Sequence, residues 1–523
     1  MSARFLSRVS VACVVVAASV VLSADQRPAP AATPLTRGDL RWLGRVTFGL
    51  DSATVARYRQ LGRAKYLDEQ LTMPATDAPQ IAEALAALPA TQKPTEQLSK
   101  TLRAEQQRIN SLPNEDEKQK ARMALNQTGQ QTAYEFSKRH LLRAVQSPAQ
   151  LREVMTWFWM NHFSVFSGKA NLRWTVGEYE ANVRAHAFGR FSDLVLTTAL
   201  SPAMLEYLDN AQSAVGKINE NYARELMELH TLGVSGGASG STYTQQDVQE
   251  LSRLLTGVGL NLSDNTPRFA PDKQKLYVRH GLVEFNPNRH DFGNKVILGR
   301  TFKGRGLDEV QDVVEFLCDQ PATARFISRK LVTYFVADEP PPALVERVAR
   351  TFDRTHGDIA EVLRTLFLDK DFQASLDGPA AKAPEKFKDP MQFVISSLRL
   401  AYDGKPFPNF RPVVGWLQQL GEPLYGRVTP DGYPLTESAW TSSGQLVRRF
   451  EIARAIGSGN AGLFNNDDNT PGPTVGFPVL MSRLYYDTIE PALGAATRAA
   501  LGKTASQQEW NTVLLASPDW MMR

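Results

Sequence analysis

Asn219-Glu-Asn-Tyr-Ala-Arg-Glu-Leu-Met-Glu-Leu-His-Thr-Leu-Gly233 opens on an amide able to cap a helix and closes on a glycine able to end one. The stretch therefore predicts a helix of about four turns. An advance of ~100° per residue gathers Glu220, Asn221, Arg224, Glu225 and Glu228 on one arc, with Tyr222, Leu226 and Leu229 opposite and His230 on the apolar side. Glu220, Arg224 and Glu228 have the i, i+4, i+8 spacing and alternating sign of a solvated ion-pair ladder. On the same arc, Asn221, Glu225 and Glu228 form a carboxylate-lined face that could bind a cation or divide acid and base roles.

Outward from this helix the same punctuation repeats. Ser147-Pro148 precedes Leu151 to Phe163, Ser201-Pro202 precedes Ala203 to Leu208, and Thr244-Gln-Gln-Asp247 reads as a variant capping box. Helices are expected at Arg37 to Gly49, from Leu307 to about Phe372, at Gln392 to Leu400 and at Ser443 to Ile456. Ile81 to Gln131 is polar with scattered leucines and broken near Pro94 and Pro113, the pattern of an inserted pair of surface helices over about 76–133. Strand-like runs occur at Lys275 to Phe285 and Lys295 to Phe302, which predicts a small β-hairpin across the polar loop Asn286 to Gly293. The expected fold is mainly α, one large multi-helix domain over 37–523 with a small β-hairpin.

The N-terminus carries Arg4 and Arg8, an apolar run from Val9 to Leu22, then Ser23 and Ala24. That run is shorter than the ~20 residues of a membrane span. It predicts a signal peptide over 1–24, a Pro/Ala linker over 25–36, and a periplasmic or secreted protein with no transmembrane anchor after cleavage. Cleavage removes Cys13 and leaves Cys318 as the sole cysteine, so no internal disulfide is expected. Cys318 sits in an apolar-periodic run and reads as a small buried hydrophobe. With 42% hydrophobic and 22% charged residues the composition is globular, and a net charge of +4 without basic runs argues against nucleic acid as a partner.

Histidines are few. His162 lies in Trp-Phe-Trp-Met-Asn-His-Phe163, His186 in Arg-Ala-His-Ala-Phe-Gly189, and His290-Asp291 in the loop between the strand runs, where the aspartate could hold the second imidazole nitrogen. No pair has metal-ligand spacing. Gly233-Val-Ser-Gly-Gly237 matches a nucleophile-elbow pattern but follows a helix, so it reads as a helix exit. Asn465 to Asn469 lacks EF-hand spacing and reads as a solvated loop.

Together these residues resemble the exported bacterial family grouped as domain of unknown function 1800. The resemblance rests on Trp159-Met-Asn-His-Phe163, His186-Ala-Phe-Gly189, Pro202-Ala-Met-Leu with Leu208-Asp-Asn210, the Asn219 to Gly233 helix, and Tyr243-Thr244 with Asp247-Val248. Downstream, His290-Asp291, Lys295, Lys330-Leu331, Trp440 and Ala516-Ser-Pro-Asp519 fit as well. It spans about Leu40 to Arg523, and the helical segment before Tyr134 departs from it. The resemblance implies export and, through frequent neighbours resembling sulfatases and alkaline phosphatases, shared work with a sulfatase-like exported protein. It assigns no reaction.

The expected function is a hydrolase acting on an envelope or extracellular polymer through a Glu/His-lined site. Its catalytic candidates are Glu225, Glu228, His230 and His162. The binding candidates are Asn221, Arg224, His186, His290, Asp291 and Asp209. The alternative is a non-catalytic binding or assembly partner of a second exported, sulfatase-like protein. Cofactor and metal are left open by the sequence.

Overall fold

Helix punctuation places most of the chain. In the computed structural model, residues 35–234, 242–263, 265–377, 386–468 and 470–523 are described. The expected signal peptide over 1–24, the expected linker up to residue 34, Ser235 to Gly237 and Asn469 lie outside the described residues. The Ser201 hydroxyl caps Pro202–Tyr207 with proline at the first helical position. Thr244 and Asp247 form the expected reciprocal box at Gln245–Leu254. Ser147 differs: it ends the preceding helix, and Gln150–His162 starts after Ala149 without a side-chain cap. No helix among the described residues is long and apolar enough to cross a membrane.

The polar stretch before Tyr134 is helical, with Thr95–Ser111 starting just after Pro94 and ending before Pro113. Its expected boundary, however, falls inside one continuous helix, Glu115–Gln146. The first half of that helix is mostly exposed, and from Thr132 to Val145 almost every residue is buried. The compositional shift at Tyr134 thus marks a change of burial along one rod. Its buried half brings Arg139 inside to Glu180 at 2.6 Å, and between the helices Gln150–His162 and Val176–Ala185 Arg184 takes Glu153 at 2.7 Å. The Arg139 and Arg143 guanidiniums and the His140 ring outweigh burial and hold the Glu180 carboxyl far below the usual range.

Gln150–His162 packs on Val176–Ala185, and Pro321–Phe335 on Pro342–Arg354. The core is aromatic here, with Trp159, Phe163 and Phe191 in mutual contact. Four strands occur inside the two expected runs but pair differently, and a fifth, outside them, joins the first run. β1 (Val258–Leu260), β2 (Val278–His280) and β3 (Val283–Phe285) form an antiparallel sheet in the order β1-β3-β2. β4 (Lys295–Ile297) and β5 (Arg300–Phe302) pair only with each other. Each strand-like run contains its own tight turn, at Gly281 and at Leu298-Gly299, so it folds back on itself before it can pair with the other run.

Candidate functional site

The central helix is not regular. Asn221–Glu225 is α-helical, and Leu226–Thr231 is a π-helical turn closed by Leu232 N–H donating to the Met227 carbonyl at 2.7 Å. A turn holding more residues makes later positions lag behind the ~100° wheel. The expected ladder therefore stops at Arg224, whose guanidinium meets Glu220 at 3.5 Å and Gln245 at 2.8 Å. Glu228 instead accepts a hydrogen bond from the Tyr243 hydroxyl at 3.3 Å. Leu229, expected on the buried side, is half-exposed, while His230 is buried as expected. Gly233 ends the helix with a positive φ, and any Cβ there would lie 2.8 Å from the Phe326 ring.

Behind this helix the structure joins three residues distant in sequence. Lys330 Nζ lies 2.9 Å from His162 Nδ1, and His162 Nε2 lies 3.1 Å from the His230 carbonyl oxygen. A carbonyl only accepts, so Nε2 carries the proton and Nδ1 accepts from Lys330. Burial, then the charge of Lys330, hold His162 well below its ordinary value, which keeps the ring neutral. The His230 ring stacks edge-on against Phe163 and finds no partner for either nitrogen, and burial pulls it down to about 3. Burial also brings the Lys330 ammonium down to about 8, against the opposing pull of Asp431.

Asp431 reaches this place on a turn held by Asn161, the residue before His162. Asn161 donates to the Tyr433 carbonyl at 3.0 Å and accepts from the Tyr433 N–H at 2.5 Å. Asp431 spends its own oxygens on Arg427 and the Thr429 hydroxyl, so it acts on Lys330 through space. It also acts on Glu225, whose carboxyl is pushed up by burial first, then by Glu228, with Arg224 opposing and Asp431 adding to the rise. The resulting site is a half-exposed pair of carboxyls, Glu225 and Glu228, linked through the charge of Asp431 to a lysine that rests on a neutral histidine.

The remaining candidates stand elsewhere or play other parts. Asn221 donates weakly to the Leu208 carbonyl at 3.4 Å, and Asp209, in a left-handed conformation, pairs with Lys169 at 2.8 Å. Asp209, Asn219 and Glu220 line a groove of about 630 Å³ whose walls also include Ile218, Leu260 and Leu262. His186 ends its own helix, its Nδ1 2.9 Å from the Asn182 carbonyl. The Asp291 carboxylate does not hold His290: it pairs with Arg253 at 2.9 Å, while His290 Nε2 lies 2.5 Å from Glu309, 19 residues on. Lys295 completes that cluster at 3.0 Å from Glu309. Gly257, with positive φ, lets the Asn286 carbonyl and the His290 Cβ approach, since a Cβ at 257 would lie 2.9 Å from each.

Neither His162 nitrogen is open to a metal, and among the described residues no group of three or more His, Cys, Asp or Glu could hold one. Cys318 is buried, with its thiol pushed well up by burial. A family model matches residues 41–522, nearly the whole chain. The chain belongs to the family described as protein of unknown function DUF1800. No curated protein and no solved structure matches this family member. Sequence reasoning had His162, His230, Glu225 and Glu228. It missed Lys330 as chemistry, quoting it only within the resemblance, and it missed Asp431, whose sole local signal is the turn sequence Thr429-Pro-Asp-Gly432.

Proposed function

We propose that this chain is a hydrolase that moves protons at the Glu225/Glu228 face and acts on an envelope or extracellular polymer, exported through its N-terminal apolar segment. The reading is carried by the environment of Glu225: a half-exposed carboxyl held toward its protonated form by burial and by a second carboxyl three residues on. A group of that kind can donate a proton to a leaving oxygen while a neighbouring carboxylate activates water or bonds the substrate. Asp431 acts on both Glu225 and Lys330, so the carboxyl pair is electrostatically linked to a lysine brought down to about 8. The test is release of soluble fragments from peptidoglycan sacculi and from exopolysaccharide by the purified protein, with and without chelator. Glu225→Gln should lower the rate by at least ~100-fold at unchanged helicity. No release from either polymer, or equal rates for the variant, would reject the reading.

A second reading, an assembly partner of a sulfatase-like exported protein, is favoured by Leu446, Val447 and Phe450. These three side chains stand 44%, 57% and 49% exposed on the Ser443–Gly457 helix. Phe450→Asp should then abolish co-elution with that partner while Glu225→Gln leaves it intact. Co-elution of both variants with the partner would remove this reading.

A further inference from the structure

The polar helices before Tyr134 present an inner face that the Glu225 site does not use. Leu102, Gln106 and Ile109 on the Thr95–Ser111 helix recur at four- and three-residue spacing, as do Arg122, Asn126 and Gly129 on Glu115–Gln146, so each set shares one side of its helix. With the segment Ala170 to Trp174 they enclose a cleft of about 460 Å³. Ala170 also lines the groove of about 630 Å³ that takes in Asn219 and Glu220, at the start of the central helix. Its backbone sits at φ 45°, in the left-handed region that a non-glycine residue adopts only at a cost. Lys169, on one side of that turn, lines the groove, and Asn171, on the other, lines the cleft. Cleft and groove thus meet at a strained residue and form one path from the polar helices to the helix carrying Glu225.

The charges along this path do not cancel. Of the acids on its walls, Asp209 pairs with Lys169 at 2.8 Å, and Glu220 meets Arg224 at 3.5 Å and takes the Gln245 amide at 2.7 Å. Glu206 is held toward its protonated form by burial. No other carboxylate side chain lines either part. The side chains of Arg122 and Lys217 make no hydrogen bond or ion pair among the described residues, and Arg173 makes only its bond to the Asn126 side-chain carbonyl at 2.6 Å. Glu115, which feels Arg122, is itself bonded to Lys118 at 2.6 Å. Three cations are left over, among amides such as Gln106, Asn110 and Gln212 and apolar side chains such as Leu125, Ile218 and Leu262.

We propose that cleft and groove together bind one strand of an acidic polysaccharide, its anionic groups on Arg122, Arg173 and Lys217 and its hydroxyls on the amides between them. Lysine and arginine give charge-assisted bonds to carboxylate or sulfate, side-chain amides both donate to and accept from hydroxyls, and apolar side chains suit the C–H faces of sugar rings. Each part alone is the size of a cleft that encloses a small ligand, so the two joined suit a chain. The proposal names a substrate class for the hydrolase reading, and it rests on that reading only for what happens to the strand once bound.

Calorimetric titration of the full chain carrying Glu225→Gln, so that no strand is consumed, with polygalacturonate, dextran sulfate, neutral dextran and poly-L-glutamate tests it. At least one acidic polysaccharide should bind saturably, and the tighter of the two tells a carboxylate source from a sulfate one. Dextran and polyglutamate should bind at least ~10-fold more weakly, since each lacks one half of the interaction. Adding Arg122→Gln and Arg173→Gln together should weaken the polysaccharide by a similar factor. Gly129→Leu keeps both arginines but sends a side chain into the cleft, because a Cβ there lies in ordinary contact, 3.5 Å from Arg173 and Trp174, and it should lose binding too. It serves as the second variant should the arginine pair fail to fold. No saturable binding of either acidic polysaccharide, or polyglutamate binding as tight, would overturn the proposal. So would undiminished affinity in Gly129→Leu or in the folded arginine variant. Binding of this kind without fragment release by the wild type would reject the hydrolase reading and leave the polysaccharide site standing.

Discussion

Two lysine–histidine clusters stand inside this protein, and they differ in one carboxylate. At the first, Glu309 lies within hydrogen-bond distance of both Lys295 and His290, and the His290 Nδ1 donates to the Thr256 carbonyl at 2.6 Å. Every charge there has a partner in contact. At the second, Lys330 rests on a neutral His162, and the acid that acts on it, Asp431, is bonded to other groups. The first is closed chemistry that ties β4 to the Leu307–Cys318 helix. The second leaves an amine brought down to about 8, and the Asp431 that opposes that fall also raises Glu225, so two perturbed groups share one acid. Of two similar residue sets, the incompletely compensated one is the candidate for function.

The largest effect should come from breaking the closed cluster. Glu309→Gln strands Lys295 in the interior and is expected to cost about 3–5 kcal/mol in urea unfolding. Lys330→Met removes a lysine with no acid in contact and leaves only the His162 Nδ1 acceptor unpaired, so it should stay within about 1 kcal/mol of wild type at pH 7. Equal losses for the two variants would erase the distinction.

The pH dependence sharpens it. A lysine whose folded value is about 8 against an ordinary 10.5 disfavours the folded state while charged. The unfolded chain then binds more protons between those values, so stability should rise with pH from about 8 to 10.5. Lys330→Met should flatten that rise, and stability curves measured across the window would show it. His230 works at the acid end: with about 3 in the folded state and 6.5 unfolded, stability is full above 6.5 and lost as pH falls toward 3. His230→Leu should shallow the acid loss. A variant as acid-sensitive as wild type would mean that the ring is not held neutral by burial.

The comparison also shows what the sequence could reveal. Glu225, Glu228, His162 and His230 were legible because each sits in a strong helical pattern. Lys330 was not, since it meets His162 across 168 residues and nothing local marks a basic residue on an amphipathic helix as buried. His290 misled for the same reason: its sequence neighbour Asp291 is drawn off by Arg253, and its partner Glu309 comes from another helix. The α-to-π change at Leu226 has no signature in residue spacing, so the 3.6-residue wheel extended the ladder one step too far. Likewise the polar-to-apolar shift at Tyr134 looked like a boundary, because composition records burial and not helix continuity.

The smallest expected effects are those at Glu225 and Glu228, and there the sign matters more than the size. In an exposed ladder, replacing either glutamate with glutamine removes an attraction and lowers stability by up to ~1 kcal/mol. In the arrangement seen here, Glu228 has no cation in contact among the described residues, and its charge is one of the causes raising Glu225. A carboxyl raised in the folded state weakens the fold as pH rises through its unfolded value of 4.5, and the weakening is complete above the folded value. At pH 7, Glu225→Gln should therefore be neutral or slightly stabilising, by a few tenths of a kcal/mol, within the range ordinary for surface substitutions. At pH 4 the gain should vanish. Glu228→Gln should also remove a repulsion, and it should return Glu225 toward its ordinary titration, followed by the carboxyl carbon signal in NMR. A loss of stability in Glu225→Gln at pH 7, or a Glu225 titration indifferent to Glu228→Gln, would restore the solvated ladder and take the acid–base role away from this face.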